Sequence, residues 1–460
     1  MKKIKIAYIG GGSRLWARNL MSDMALEKDL GGEVALYDIV AEAAKNNAII
    51  GNNMMAKPEA LGDWRFTCAS SLEEALTFAD FVLISILPGT FEEMRHYVHD
   101  TEKWGLYQTV GDTVGPAGIF RGLIMMPMYE VIAKAIQSYA PKAWVLNFTN
   151  PMTLCVQTLY NVFPEIKAFG NCHEVFFVQR ILSRVLREKT GLDIPYHDIR
   201  INPLGINHFT WINHATYEEY DIMPMYQEFV EQYHDIGLLP KEDDWKHVGP
   251  FGSAEKVKLD LFHHFQVIAA AGDRHLVEFL PHAWYLNGQD QINHNKFHLT
   301  KVQTRIDIMN RGNESAFRIR DGLEEVSIHP SGEDGIEQIK ALLGLTELIT
   351  NVNMPNLGQI SNLPLGHVVE TNALFRKDSV RPIMSGEMEP FPATITKQHI
   401  LTHQLLWKAY VEKDLSFARE ALGYDQVTMH LSPIQIDAMF DEIIGHIQPY
   451  LTHYERGIVR

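Results

Sequence analysis

Cysteine is scarce in this 460-residue chain, which holds only Cys68, Cys155 and Cys172. So small and odd a number excludes a disulfide framework and fits a reducing compartment, so the sequence predicts a cytoplasmic protein. Positive charge is also in short supply. Forty-one Lys and Arg stand against 57 Asp and Glu, a net charge of −16. That balance argues against nucleic acid or an anionic membrane as a partner, because polyanions are repelled. It leaves room for a small anion held by one or two local arginines. No apolar run has the length that spans a bilayer. The opening "MKKIKIAYIGGG" turns from basic to apolar as a signal peptide does. Its apolar run is only a strand's length, however, and ends in glycines instead of a small-residue cleavage site. Tandem repeats and low-complexity segments are missing too. What remains is an ordinary globular composition, 46% apolar and 21% charged, in a chain long enough for two or three domains.

The first segment with a chemical reading is the N-terminus. Residues 4–9, "IKIAYI", are a short run rich in β-branched residues that ends in Gly10, Gly11, Gly12 and Ser13. Leu15, Trp16, Leu20, Met21 and Met24 then recur at roughly helical spacing. Strand, glycine turn and helix is the order that phosphate binding needs: glycines let the backbone approach a pyrophosphate, and amides at a helix start meet its charge. A second strand, 33–39, carries Asp38 near its end, where a carboxylate can accept hydrogen bonds from a ribose diol. The fingerprint lacks its third glycine, whose position holds Leu15. Its surroundings strengthen it. Strands are predicted at 65–69, 81–87, 143–151 and 166–171, with a capping box at Ser71 and Glu74. Pro88 and Gly89 close one of these strands in a loop that could lie under a cofactor. Six short strands separated by helical segments predict an α/β fold, a Rossmann-like doubly wound parallel sheet over residues 1–195. Ligands bind at the carboxyl ends of such strands. Asn150 and Cys172 both follow a strand end, so both are expected to face the crevice.

From residue 196 the pattern changes. Residues 198–217 hold two strand-like runs with Asn207 and His208 between them, and helical patterns follow, including one over 335–350. The charged, Gly- and Pro-rich stretch 237–256 reads as a mobile loop near the site. Residues 196–460 are expected to form a mixed α/β second domain that closes over the strand ends and finishes in long helices. Within "GNCHEVFF" (170–177), Cys172 and His173 stand side by side. Neighbours on a strand point opposite ways, so they are not a metal pair by themselves. With 21 histidines in the chain, composition and spacing leave Cys172 open between a core thiol and a ligand.

The motifs taken together resemble the NAD- and metal-dependent family-4 glycoside hydrolases. The likeness runs along nearly the whole chain, through "IGGGS", "YDI", "VGPAGIFRGL", "NFTNPM", "GNCHEV", "GINHFTW", "GDRHLVEFLP" and "GQISNLPLGHVVE", in that order. It implies an architecture like that of lactate and malate dehydrogenases, bound NAD and Mn²⁺ or another divalent metal. It also implies a glycosidase that oxidises C3 of the sugar, removes the C2 proton, expels the glycosidic oxygen, adds water and reduces C3 again. On this resemblance Cys172 and His208 match the metal ligands. Gly10, Gly12, Ser13 and Asp38 match the NAD site, with Pro88 beneath it. His173 matches the acid for the leaving oxygen, and Asn150 a residue that bonds the sugar beside the cofactor. Asp273 aligns with the C2 base, with His275 and His263 as competitors, and Asp112 is expected near the reacting sugar. A homodimer or homotetramer is implied.

The "CHEV" form is most similar to the α-galacturonidase subgroup, which implies a small acidic carbohydrate from pectin as substrate. Arg95 and then Arg274 are the expected partners of a uronate carboxylate, while Glu174 has no evident task. An α-glucosidase, α-galactosidase or α-glucuronidase of the same family is the alternative. A malate- or lactate-type dehydrogenase and a non-catalytic NAD sensor are rivals from other classes, and neither needs a thiolate–imidazole site. A thiolate at Cys172 also implies easy oxidation.

Overall fold

The computed structural model describes residues 1–239, 244–247, 249–455 and 457. The first six strands are β1 (Lys2–Ile9), β2 (Leu30–Tyr37), β3 (Asp63–Cys68), β4 (Phe81–Ile84), β5 (Trp144–Asn147) and β6 (Lys167–Gly170). All pair in parallel, in the order β3-β2-β1-β4-β5-β6. This is the doubly wound order, in which the chain reverses direction across the sheet between β1 and β4 and leaves a crevice at their carboxyl ends. The α/β class and the Rossmann-like first half are therefore as the sequence predicts. Two expected strands are shorter: 81–87 stops at Ile84 and 143–151 at Asn147. The residues beyond them turn into the loops that carry Pro88 and Asn150.

Alternation along β1 explains why both faces are covered. Ala7 and Ile9 pack into one core with the long helix Gly115–Tyr139 and the helices Pro390–Glu412 and Pro433–Ile447. Ile4, Ile6 and Tyr8 point the other way, into a core with the helices Trp16–Leu26, Ala41–Met55 and Gly335–Leu342. A strand buried on both faces reads as a continuous apolar run, as "IKIAYI" does. At the helix Leu72–Leu76, the Ser71 hydroxyl accepts from the Glu74 amide as expected. The Glu74 carboxylate bonds the Ser70 amide at 2.7 Å rather than that of Ser71, so the capping box is half formed.

The second half adds β7 (Arg200–Ile206), β8 (Phe209–Tyr217), β9 (Tyr220–Asp221), β10 (Ile268–Ala269), β11 (Leu348–Pro355), β12 (Val368–Arg376) and β13 (Ser379–Pro382). β11 pairs antiparallel with β6 at Asn353 and Gly170, so the sheet continues as β6-β11-β12-β7-β8-β10. β7 and β8 form a hairpin with Asn207 and His208 at its turn, and His208 takes a left-handed φ of 63° there. One expectation fails. The helix predicted over 335–350 ends at Leu342, and Leu348–Pro355 is a strand instead. Gly344, at φ 77°, closes the helix. Beyond it the β-branched Ile349, Thr350 and Val352 favour the sheet. The expected loop 237–256 lies partly outside the described residues, at 240–243 and 248. Its described part holds a short 3-10 turn, Asp244–His247, with Trp245 buried. Among the described residues no helix is long and apolar enough to cross a membrane.

Gly10 is where the first turn depends on the lack of a side chain. Its φ is 88°, and a Cβ there would sit 2.0 Å from the Ser85 carbonyl oxygen at the end of β4. Gly10→Ala is expected to cost at least about 2 kcal/mol in urea unfolding. Gly445→Ala, inside the helix Pro433–Ile447 with nothing within 4 Å, is expected to gain about 0.5–1 kcal/mol. Equal midpoints for the two variants would contradict the close approach.

Candidate active site at the strand ends

The glycine turn is held from beneath. Gly10 and Gly11 both donate to the Tyr37 carbonyl at 2.9 Å, and the buried Asn47 donates to the carbonyls of Gly11 and Ser13 at 2.8 Å each. Asp38 accepts from Gly12 N through Oδ2 and from Val40 N through Oδ1, both at 2.9 Å. A Cβ on Gly12 would lie 2.7 Å from Asp38 Oδ2, so only bare backbone fits at this position. A carboxylate offers about four acceptor positions, so Asp38 keeps capacity for a ribose diol. Leu15, Ile39 and Val40 beside the turn are exposed, Ile39 at 91%. This is apolar surface of the kind a bound dinucleotide covers. Pro88 is buried in the loop that follows β4.

Opposite the turn, the helix Asp273–Phe279 organises the crevice. Glu278 Oε1 accepts from three consecutive amides, those of Thr109 (2.6 Å), Val110 (2.8 Å) and Gly111 (3.0 Å). The three amides form a backbone nest for an anion, and Gly111, at φ 66°, turns the chain after the third of them. The loop so held presents Asp112 and Thr113. The Thr113 hydroxyl donates to Asp112 Oδ1 at 2.7 Å and lies 2.9 Å from His208 Nδ1. A hydroxyl has one proton. With that proton on Asp112, His208 must carry its own hydrogen on Nδ1, which leaves Nε2 with a lone pair. Burial lowers His208 to about 3, so it stays neutral. Its ring lies 3.7 Å from that of His275, which burial lowers to about 4 and whose Nδ1 has no hydrogen-bond partner. Asp112, His208 and His275 each offer one ligand atom within 4.8 Å of the others. Burial opposes the charge on Asp112, yet the neighbouring His275, Arg121, Arg305 and His208 outweigh it and hold the carboxyl below its ordinary range.

Cys172 approaches from β6. Its carbonyl accepts from Asn351 Nδ2 at 3.1 Å, and its thiol lies beside the Asn207 amide. Both polar atoms of that buried amide lack partners. Burial pushes the thiol well above its ordinary value, and Glu370 and Glu174 add to the effect. A soft thiol, neutral imidazoles and a carboxylate are donor types that suit a divalent ion, although Cys172 is not among the three residues whose ligand atoms lie within 4.8 Å of one another. His173 is half exposed. Its Nδ1 sits 3.1 Å from Glu333, which raises its pKa, and its ring lies against Trp16 at 5.9 Å. Glu174 has a clear task after all: it accepts from Gly272 N at 2.8 Å and stands 4.0 Å from His275 Nε2, anchoring the start of the Asp273 helix.

Several expected residues take other work. Asp273 is fully buried and accepts from the amides of Val257 (3.1 Å) and Lys258 (2.9 Å), the start of the helix Lys256–Phe265. Its carboxylate is occupied as a backbone anchor, which argues against the role of C2 base; His275, two residues on, faces the crevice cluster instead. His263 is exposed, its ring tilted against that of His234 at 4.7 Å. Arg274 donates to the carbonyls of His298, Phe251 and Thr109. Arg95 pairs at 3.5 Å with Glu92 and its side chain is 41% exposed. The charges that reach Asp112 belong to Arg121 and Arg305, which the sequence reading missed. Arg121 donates to the Asn150 carbonyl at 2.9 Å and Arg305 to that of Val110 at 2.7 Å. The Asn150 side-chain oxygen is buried without a partner. Arg121 stood inside the quoted "VGPAGIFRGL"; nothing local marks Arg305.

Comparison with known proteins gives one consistent answer. Residues 5–188 match the family 4 glycosyl hydrolase model and residues 204–428 the C-terminal domain model of the same family. An α-galacturonidase of Thermoanaerobacter italicus is 49% identical over 448 residues, covering 97% of each chain. The crystal structure of a candidate glucosidase from Bacillus subtilis superposes with a TM-score of 0.91 at 44% identity, over 96% of this chain and 100% of that one. A 6-phospho-α-glucosidase from gut microorganisms, solved with NAD and Mn²⁺, shares the fold at a TM-score of 0.81 and 19% identity, over 99% of this chain and 100% of that one.

The Glu278 cradle has a pH signature. Burial pushes this carboxyl up to about 7, and its second oxygen has no partner. The folded chain therefore keeps a proton that the unfolded chain releases near pH 4, so this group removes stability as pH rises from about 4 to 7. Glu278→Gln is expected to abolish that slope, gaining on wild type by about 3–4 kcal/mol between pH 4 and 8. Parallel stability–pH curves for the two proteins would contradict it.

Proposed function

The chain belongs to glycosyl hydrolase family 4, and from that premise we propose that it releases α-linked galacturonate from small pectin-derived oligosaccharides. The observation that carries the substrate is the full-length likeness to an α-galacturonidase at 49% identity. The reaction runs through oxidation at C3, removal of the C2 proton, departure of the glycosidic oxygen and addition of water, with C3 reduced again at the end. When bound, NAD⁺ supplies a hydride acceptor and a divalent ion such as Mn²⁺ supplies Lewis acidity.

The residues divide this work as follows. Gly10, Gly12, Ser13 and Asp38 hold the dinucleotide, with the Pro88 loop beneath it. Cys172 and the Nε2 lone pair of His208 would hold the ion, while the ligand atoms of Asp112, His208 and His275 lie within 4.8 Å of one another. Asn150 turns its unpartnered oxygen towards a sugar hydroxyl. His275, neutral above a pH of about 4, takes the C2 proton in place of Asp273. His173 gives a proton to the leaving oxygen, and Glu333 raises its pKa so that it stays protonated to higher pH. Arg121 and Arg305, whose charges reach Asp112, supply the positive charge for a uronate, in preference to Arg274, which donates to three carbonyls, and Arg95, which pairs with Glu92. Residues 1–195 serve the cofactor and also carry Asp112, Arg121, Asn150, Cys172 and His173, while residues 196–460 supply His208 and His275. Free cysteines and the NAD requirement fit a cytoplasmic setting. A homodimer or homotetramer is the assembly that the family resemblance implies.

The test is hydrolysis of digalacturonate beside an α-glucoside and an α-galactoside, anaerobically with NAD⁺, Mn²⁺ and a thiol, each also omitted in turn. Cleavage of digalacturonate alone, lost without NAD⁺ or Mn²⁺, is expected. Cleavage of only a neutral glycoside would overturn the substrate. Net NADH accumulation from a hydroxy acid, with no glycoside cleaved, would overturn the reaction.

A further inference from the structure

Outside the crevice a second group of side chains converges where two helices distant in sequence pack together. Helix Phe91–His99 lies against helix Pro433–Ile447. His96 Nδ1 is 2.7 Å from Asp100 Oδ2, and His446 Nε2 is 3.8 Å from that same oxygen. The two imidazoles are parallel to within 2° at a centroid separation of 3.7 Å. One ligand atom from each of the three residues falls within 4.8 Å of the other two. Glu92 Oε1 adds a further carboxylate, 3.9 Å from His96 Nε2. The reading of the crevice gives none of these residues a task.

We propose that His96, Asp100 and His446 form a second metal site that takes a borderline divalent cation such as Zn²⁺ or Co²⁺ and ties the two helices together. Two imidazole nitrogens and one carboxylate oxygen are a donor set for this class of ion. Ligands about 2.1 Å from a tetrahedral centre stand about 3.4 Å apart. The observed His-to-Asp separations of 2.7 and 3.8 Å bracket that value; because a lone pair lies in its ring plane, one imidazole must turn out of the stack for both to face the ion. The ligands are only partly shielded, with side chains 24%, 30% and 40% exposed, which leaves an entry path and room for water in the remaining position. Two stacked imidazoles repel when both are protonated, and a shared cation removes that repulsion. Mn²⁺ lies low in the affinity order for nitrogen donors, so this site and the crevice prefer different ions. The proposal does not depend on the catalytic reading.

The test is a Co²⁺ titration of the full chain, followed by calorimetry and visible absorption, in wild type, His446→Ala, Asp100→Asn and Cys172→Ser. Beside any uptake at the crevice, the expected result is a cobalt site without a thiolate-to-cobalt charge-transfer band. It should persist in Cys172→Ser, weaken at least about tenfold in Asp100→Asn and vanish in His446→Ala. Zn²⁺ should raise the melting midpoint of wild type more than that of His446→Ala, while glycoside hydrolysis by His446→Ala stays unchanged. Asp100→Asn keeps the side chain's shape and so guards against a variant that fails to fold. Equal cobalt stoichiometry and affinity in wild type, Asp100→Asn and His446→Ala would overturn the proposal. So would cobalt uptake that Cys172→Ser alone abolishes.

Discussion

Three amides in a row, those of Thr109, Val110 and Gly111, converge on one oxygen of Glu278, and the crevice depends on that convergence. It fixes the loop that presents Asp112 and Thr113. Thr113 then passes the constraint to His208 and sets which of its nitrogens carries the proton. The same helix places His275 against His208 and anchors itself through Gly272 to Glu174, the second residue after Cys172. Through this one helix, the hairpin turn, the loop before the long helix and the segment after β6 share a frame. Such second-layer contacts hold a reacting group to the tolerance that chemistry needs.

Charge is the other organising term. Glu174, Glu370 and Asp112 gather around a thiol and two imidazoles, all largely withdrawn from water. Burial and like charge push Cys172 and Glu370 up, while burial pushes His208 and His275 down. Every one of these shifts disfavours the charged form, as burial does. A divalent cation reverses the balance for the sulfur, because a thiolate beside it no longer faces only carboxylates. The unpartnered atoms of Asn207, Asn150 and His275 mark where donors and acceptors remain for a sugar.

Most of the first half was legible in the sequence because its signals are local. "IKIAYIGGG", Asp38 and the short apolar runs each state a strand or a turn within a few residues. Both strand ends that carry Asn150 and Cys172 lie where the order predicts. The failures have physical causes. Residues 335–350 kept a helical period across Gly344, and the pairing of β11 with β12 outweighed it. Asp273 looked like a free acid because sequence does not show that the amides of Val257 and Lys258 fold onto it. Glu278, Glu333 and Arg305 were missed because each meets the site only through long-range packing. The tautomer of His208 follows from a contact with Thr113, ninety-five positions away in the chain.

The account stands most directly on proton loss at C2 of the sugar, since the neutral imidazole of His275 and the cation site have no other joint purpose. That step leaves a mark in the product. Digalacturonate cleaved in D₂O should yield galacturonate with deuterium at C2 from the newly released unit, read by proton NMR or mass spectrometry. Product that retains hydrogen at C2, formed at an undiminished rate, would mean that the glycosidic bond breaks by direct displacement and would contradict the account.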